Sequence, residues 1–203
     1  MIIGLAGKKG TGKSEIAKYL SNKLNIPVYS FASFLKKLVF DISGLTDDDK
    51  ENNNYYDGRN FNLIPLKKEL KRCGYDKLSS EEIDSLKAIE YYRTAEIYRN
   101  LLQYIGTNIF RSRNEYHWIN SFKNKYALDE SYIVDDIRFF NEYNFINIQN
   151  NSKCVKIERP DKKNIDYHVS ENEIDRVRFK YKFSNKTNNL LSLYNDIDKY
   201  FGI

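Results

Sequence analysis

Only two cysteines occur in this chain, Cys73 and Cys154, far apart and in no C-x-x-C pair. That argues against a disulfide framework or a zinc-binding cysteine array and fits reduced thiols in a cytoplasmic protein. The two histidines, His117 and His168, are isolated from each other, make no metal-binding pair, and read as structural. No apolar run approaches the ~20 residues of a membrane span, and the first residues lack the basic region, apolar core and cleavage site of a secretory signal. The expectation is a cytoplasmic protein with no membrane partner. The charge is not extreme: 33 basic against 28 acidic residues give +5. The basic residues are spread along the chain with no nucleic-acid motif beside them, which argues against a dedicated DNA or RNA binder and suits a phosphorylated small molecule. With no internal repeat and no linker, residues 1–203 are expected to form one domain with a sizeable core.

What is present begins at once. "MIIGLAGKKGTGKS" contains Gly7 to Ser14 at the spacing G-x-x-x-x-G-K-[ST], a phosphate-binding loop. Ile2, Ile3 and Leu5 ahead of it suit a buried parallel strand. Behind it Ile16, Ala17, Tyr19, Leu20 and Leu24 form a helical stripe, so the loop sits at a helix N-terminus, whose partial positive charge attracts phosphate. The nucleotide-binding set is Gly7, Lys9, Gly10, Thr11, Gly12, Lys13 and Ser14. Glycines let backbone N–H groups approach phosphate oxygens. Lys13 is expected to reach the β- and γ-phosphates, and the Ser14 hydroxyl to complete a Mg²⁺ shell around ATP. A glycine-rich turn that binds nothing is the plain alternative; strand before and helix after speak against it.

Further along, "IPVYSFASFLKKLVFDI" predicts a strand at Val28 to Ser30 and a helix burying Phe34, Leu35, Leu38 and Val39. "TDDDKENNNYYDGRN" reads as a mobile surface loop. Ser79 and Glu82 make a capping box ahead of a helix, and a helical pattern runs strongly from Ala88 to Ile105. "SYIVDDIRFF" gives a strand that two aspartates end, followed by a helix through Glu142 and Phe145. "KCVKIE" and "FKYKFS" give two more strands, and "NLLSLYNDIDKYF" a final amphipathic helix. The alternation implies an α/β fold: a three-layer P-loop NTPase with a parallel sheet flanked by helices on both faces. Ligands of such sheets bind beyond the carboxyl ends of the strands, which groups Gly7 to Ser14, Ser30 to Lys36 and Asp135 to Arg138.

Several blocks then point to a chemistry. "GLAGKKGTGKS", "SFASFLKKL", "LLQYIGTNIFR" followed by Trp118, "DIRFFNE" and "HVSENEID" together resemble the phage-type deoxynucleoside monophosphate kinases, P-loop enzymes of the nucleoside monophosphate kinase-like family, across nearly the whole chain. The resemblance implies ATP and Mg²⁺ as cofactors, a small-molecule deoxynucleoside monophosphate as substrate and, by analogy, a homodimer. It also implies a viral source, the host cytoplasm then being the compartment. It places Asp136, Arg138, Glu142 and Trp118 in the monophosphate site, with Arg111 and Gln103 as further acceptor ligands and Phe31 and Lys36 nearby. Arg138 offers a permanently charged planar fork to phosphate. Asp136 either bonds the acceptor or orients a metal-bound water. Lys13, Arg138 and Asp136 are the catalytic candidates. Each has a plain reading too: an ordinary surface ion pair for Arg138, core for Trp118, structure for Gln103. The stretch about 159–178 corresponds to a lid, with Arg159 and Arg176 as candidate lid arginines; a solvated loop is its alternative.

Two other functions compete. "SNKTN" at Ser184 to Asn188 faintly matches the guanine-reading N-K-x-D of nucleotide switches, but the fourth position is Asn188 and no D-x-x-G follows Asp135. A kinase of another phosphorylated acceptor, of the phosphomevalonate type, is closer; the "LLQYIGTNIFR" and Trp118 block favours the nucleotide.

Overall fold

The structure is a computed structural model, and it describes residues 1–50, 60–92, 96–126, 130–160, 168–186 and 190–203. The chain divides into two compact units, one of residues 1–31 and 119–203, the other of residues 32–118.

The first unit is built on five parallel strands: β1 (Ile2–Ala6), β2 (Val28–Tyr29), β3 (Tyr132–Ile137), β4 (Ser152–Glu158) and β5 (Tyr181–Ser184), in the order β2-β3-β1-β4-β5. Alternation along the strands sorts their residues between two helical layers. Ile3, Leu5, Ile133, Val155, Ile157 and Phe183 pack with Ile16, Ala17 and Leu20 of α1 (Lys13–Leu24) and with Leu193, Ile197 and Phe201 of α9 (Leu190–Phe201). On the other face Gly4 admits α7 (Phe140–Asn147): a Cβ there would stand 2.6 Å from Ile137 Cδ1, 2.9 Å from Cys154 Sγ and 3.2 Å from Ile146 Cγ2. This is the expected three-layer P-loop architecture. Some strand ends differ from the sequence reading, β2 stopping at Tyr29, short of Ser30. β5 begins at Tyr181, Phe179 being buried ahead of it, and β3 runs through Asp135 and Asp136 to Ile137.

The second unit is helical: α2 (Ser33–Ser43), a 3-10 turn Asp47–Lys50, α3 (Ile64–Arg72), α4 (Ser80–Tyr92) and α5 (Ile97–Gln103), which continues as a π-helical stretch Tyr104–Arg111. α6 (His117–Lys125) carries the chain back to the first unit, and the short α8 (Val169–Asn172) lies within that unit. Leu35, Leu38, Val39, Leu66, Leu70, Leu86, Leu101, Ile105 and Phe110 are buried here. The capping box forms as expected, Ser79 N donating to Glu82 Oε2 at 2.9 Å and Glu82 N to Ser79 Oγ at 3.1 Å. The helix from Ala88 to Ile105 is corrected: α4 starts earlier and ends at Tyr92, and the next helix runs on to Arg111 with wide turns. The extra residue of a π turn rotates the apolar stripe, so that Ile105, Gly106, Ile109 and Phe110 all face inward. Part of the expected mobile loop is ordered, since Asp49 Oδ2 accepts from Thr46 N at 2.6 Å and from Thr46 Oγ1 at 3.0 Å. Residues 51–59 of it lie outside the described residues. Among the described residues no helix is long and apolar enough to cross a membrane.

Candidate active site

The loop after β1 has the backbone a phosphate nest needs. Gly7, Gly10 and Gly12 have φ of +145°, +74° and +96°, left-handed values that side chains resist. A Cβ on Gly7 would stand 2.4 Å from Ile157 O. Lys13 opens α1 and is 8% exposed; its Nζ donates to Gly7 O and Lys8 O, both at 2.7 Å, so the ammonium is folded over the loop that Lys9, Gly10 and Thr11 complete. Thr11 Oγ1 donates to Lys8 O at 2.9 Å.

Beside the loop, Ser14 Oγ donates to Asp135 Oδ2 at 3.2 Å. The next aspartate does something else. Asp136 Oδ2 accepts from Ser30 Oγ at 2.6 Å and Asp136 Oδ1 from Phe31 N at 2.9 Å, which ties down the segment after β2. As neighbours in a strand the two aspartates point to opposite faces, and the register of β3 against β1 slips between Gly4↔Val134 and Ala6↔Ile137, one extra residue in β3 falling at the pair. Such a bulge bends the strand locally and re-aims the residues that follow it. The sequence offers Asp136, not Asp135, as the site candidate. The only sequence signal for Asp135 was a doubled aspartate at a strand end, which does not say which of the two meets the loop.

Arg138 follows directly. Its backbone N donates to Glu142 Oε2 at 2.9 Å, and Phe139 N donates to the same oxygen at 3.1 Å. Glu142, 3% exposed, therefore caps α7 and holds the turn that carries Arg138. Phe31 is buried, its ring 4.8 Å from that of Phe122 and 6.1 Å from that of Phe145. Of the expected grouping, Gly7 to Ser14, Ser30, Phe31 and Asp135 to Arg138 are brought together in the first unit.

The stretch 159–178 is partly packed. Ile174 and Val177 are buried. Asp175 Oδ1 accepts from Lys156 Nζ at 2.7 Å, and Asp175 Oδ2 pairs with Lys8 of the loop at 2.8 Å. Burial alone would push the Asp175 carboxyl up; hydrogen bonds from Lys156 and Lys8 outweigh it and hold it below the usual carboxylate range. Arg159 Nη1 donates to Gly10 O at 3.4 Å, and Arg176 is exposed. Residues 161–167 lie outside the described residues; His168 is half-buried, its carbonyl accepting from Asn172 Nδ2 at 3.0 Å.

The other candidates belong to the second unit. Lys36 Nζ pairs with Asp47 Oδ2 at 2.8 Å. Gln103 ends α5 and Arg111 ends the π-helical stretch, both half-buried. Trp118 is 4% exposed and its Nε1 donates to Gly106 O at 3.0 Å, the geometry of a packed indole with its polar edge satisfied. Spacing did not reveal that Glu69, Cys73 and His117 come together, with ligand-type atoms within 4.8 Å of one another. Arg72 holds Glu69 through both carboxylate oxygens, Nη2 to Oε1 at 2.5 Å and Nε to Oε2 at 2.8 Å, and the Cys73 thiol donates to Glu69 Oε1 at 3.3 Å. Burial pushes the Cys73 thiol up to about 11 and His117 down to about 4, so both are neutral at neutral pH. His117 Nδ1 lies 3.1 Å from Tyr75 Oη, while its Nε2 is buried without a hydrogen-bond partner.

A glycine nest at the end of the central strand of a parallel sheet, with a buried lysine and a serine–aspartate pair beside it, defines a P-loop nucleotide-binding fold. No family model matches the chain. It is 30% identical over 184 residues, 88% of its length and 84% of the relative's, to a protein of Acanthamoeba polyphaga mimivirus named "Putative deoxynucleotide monophosphate kinase". The chain belongs to that deoxynucleotide monophosphate kinase family and is a kinase of the P-loop type. Among solved structures it is similar to shikimate kinase from Aquifex aeolicus, with 14% identity, 100% of this chain and 97% of that one covered, and a TM-score of 0.44. It is also similar to dephospho-CoA kinase from Campylobacter jejuni, with 14% identity, 98% and 96% covered, and a TM-score of 0.39. Likenesses this distant add nothing to the assignment.

Proposed function

We propose that the protein transfers the γ-phosphoryl group of Mg·ATP directly to the phosphate of a deoxynucleoside monophosphate, giving ADP and the deoxynucleoside diphosphate, a precursor for DNA synthesis. The observation that carries the acceptor class is the 30% identity, over most of both chains, to a relative named for that substrate.

The donor half is supported by the loop itself. Three glycines at positive φ, Lys13 at the helix start and Ser14 beside Asp135 are the donor set and the carboxylate that a magnesium–triphosphate group asks for. Mg²⁺, held by Ser14 and near Asp135, would supply charge neutralisation and orientation of the β- and γ-phosphates. Lys13 exchanges its loop carbonyls for phosphate oxygens and stabilises charge that grows during transfer. Arg138 presents a bidentate fork to the acceptor phosphate, and Glu142 keeps its turn in place. The acceptor phosphate is already ionised, so the in-line displacement asks for no strong general base and forms no covalent intermediate. The segment 159–178, tied to the loop through Asp175 and Lys8, is suited to exclude water during transfer.

The test is ADP release from Mg·ATP with dTMP, dGMP, dCMP, dAMP, the ribonucleotides and phosphomevalonate, beside a control without acceptor. Turnover that depends on one or more deoxynucleotides is expected. Hydrolysis indifferent to acceptor, or turnover on phosphomevalonate alone, would overturn the reading.

A further inference from the structure

Asn185 follows β5 directly, in the Ser184 to Asn188 segment that no step above uses, and it is 7% exposed. Its backbone N donates to Glu158 O at 2.8 Å, which anchors it to the end of β4. Its side-chain Nδ2 donates to Thr11 O, also at 2.8 Å, across 174 positions of sequence. The contact is close enough to dictate the neighbouring residue, for a Cβ on Gly12 would stand 2.4 Å from Asn185 Nδ2.

This bond reaches the anion nest through a rigid unit. The peptide joining Thr11 to Gly12 is planar and trans, so its N–H points opposite to its C=O. Holding Thr11 O against Asn185 turns Gly12 N–H to the other side of the loop, away from the brace. Gly12 is also the N-cap of α1, so the same bond sets the direction from which the first helical turn is approached.

We infer that Asn185 is a positioning residue of the phosphate loop, whose side-chain N–H orients the Thr11–Gly12 peptide so that Gly12 N–H is presented to the donor nucleotide's phosphates. This gives the segment a task other than reading a base, and it rests on the donor half of the function proposed above. An isosteric change separates the hydrogen bond from mere bulk. Asn185→Asp keeps the shape but sets a carboxylate oxygen against Thr11 O, whereas Asn185→Ala removes donor and bulk together.

The experiment is titration calorimetry of Mg·ATP against the full chain and both variants, with the KM for Mg·ATP and for the deoxynucleoside monophosphate measured beside it and melting as a check on folding. Asn185→Asp is expected to weaken Mg·ATP binding at least tenfold, about 1.4 kcal/mol, with Asn185→Ala losing less. The acceptor KM should stay within about twofold, a split that general loosening would not give. An Asn185→Asp chain that binds Mg·ATP as the unaltered chain does, or loses both substrates equally, overturns the inference. Should the buried carboxylate prevent folding, Asn185→Ala decides by the same criteria. An unaltered chain that binds no Mg·ATP overturns the donor reading and this inference with it.

Discussion

Ser14 and Asp135 stand 121 positions apart in sequence and 3.2 Å apart in space, while Asp136, the very next residue, bonds Ser30 and Phe31 instead. The two aspartates are neighbours in β3, whose alternation sends them to opposite faces, and β3 carries one extra residue against β1 at this point.

On the proposed function, Asp135→Asn should lower Mg²⁺-dependent kcat by about 10²–10³, the scale of removing one preorganised electrostatic group from a reaction centre, with little change in melting temperature. Steady-state kinetics across Mg²⁺ concentrations would show the loss shrinking as the metal is raised.

Asp136→Ala should behave differently. It leaves Phe31 N and Ser30 Oγ without their acceptor, a cost of about 1–3 kcal/mol, visible in denaturant unfolding. Its Mg²⁺ dependence should match that of the unaltered chain.

Arg113 holds Glu82 with two nitrogens, Nη1 to Oε1 at 2.6 Å and Nη2 to Oε2 at 2.8 Å. Chiefly through that hydrogen-bonded pair, the Glu82 carboxyl lies below its ordinary value. A folded value below the unfolded one means that the unfolded chain takes up this proton first as the solution is acidified. The contribution is thus complete above the unfolded value of about 4.3 and is lost as pH falls through the lowered folded value. Arg113→Ala should cost about 1–2 kcal/mol at pH 7 and progressively less in acid, as urea midpoints at several pH values would show.

Gly4→Ala places a methyl 2.6 Å from Ile137 Cδ1 and 2.9 Å from Cys154 Sγ, both beneath α7. Overpacking of a filled core costs about 1–3 kcal/mol, and a lowered thermal midpoint with unchanged KM for Mg·ATP is the expected result.

Local signals were legible in the sequence and long-range ones were not. The Ser79–Glu82 box, the run into the loop and the strands around Val134 and Val155 depend on neighbours a few residues apart, so spacing alone revealed them. Which aspartate faces Ser14 depends on which face of β3 is turned to α1, which neighbours in the sequence do not say. The π-helical turns of Tyr104–Arg111 arise where Gly106 meets Leu35, a Cβ there standing 2.7 Å from Leu35 Cδ2. The meeting of Glu69 and Cys73 with His117, and of Asn185 with Thr11, requires the folded chain. Trp118 and Glu142 match a pattern whose residue types suit ligand and packing roles alike; in the fold Trp118 Nε1 donates to Gly106 O and Glu142 Oε2 accepts from Phe139 N.

The central claim is transfer to a nucleotide phosphate, and the most direct measurement is product balance. Mg·ATP and a mixture of the four deoxynucleoside monophosphates would be incubated with the chain and with Lys13→Ala, and ADP and each diphosphate quantified by anion-exchange chromatography. The account predicts one deoxynucleoside diphosphate for each ADP, and no product above background with Lys13→Ala. ADP accumulating without any deoxynucleoside diphosphate, or transfer undiminished in Lys13→Ala, would contradict it.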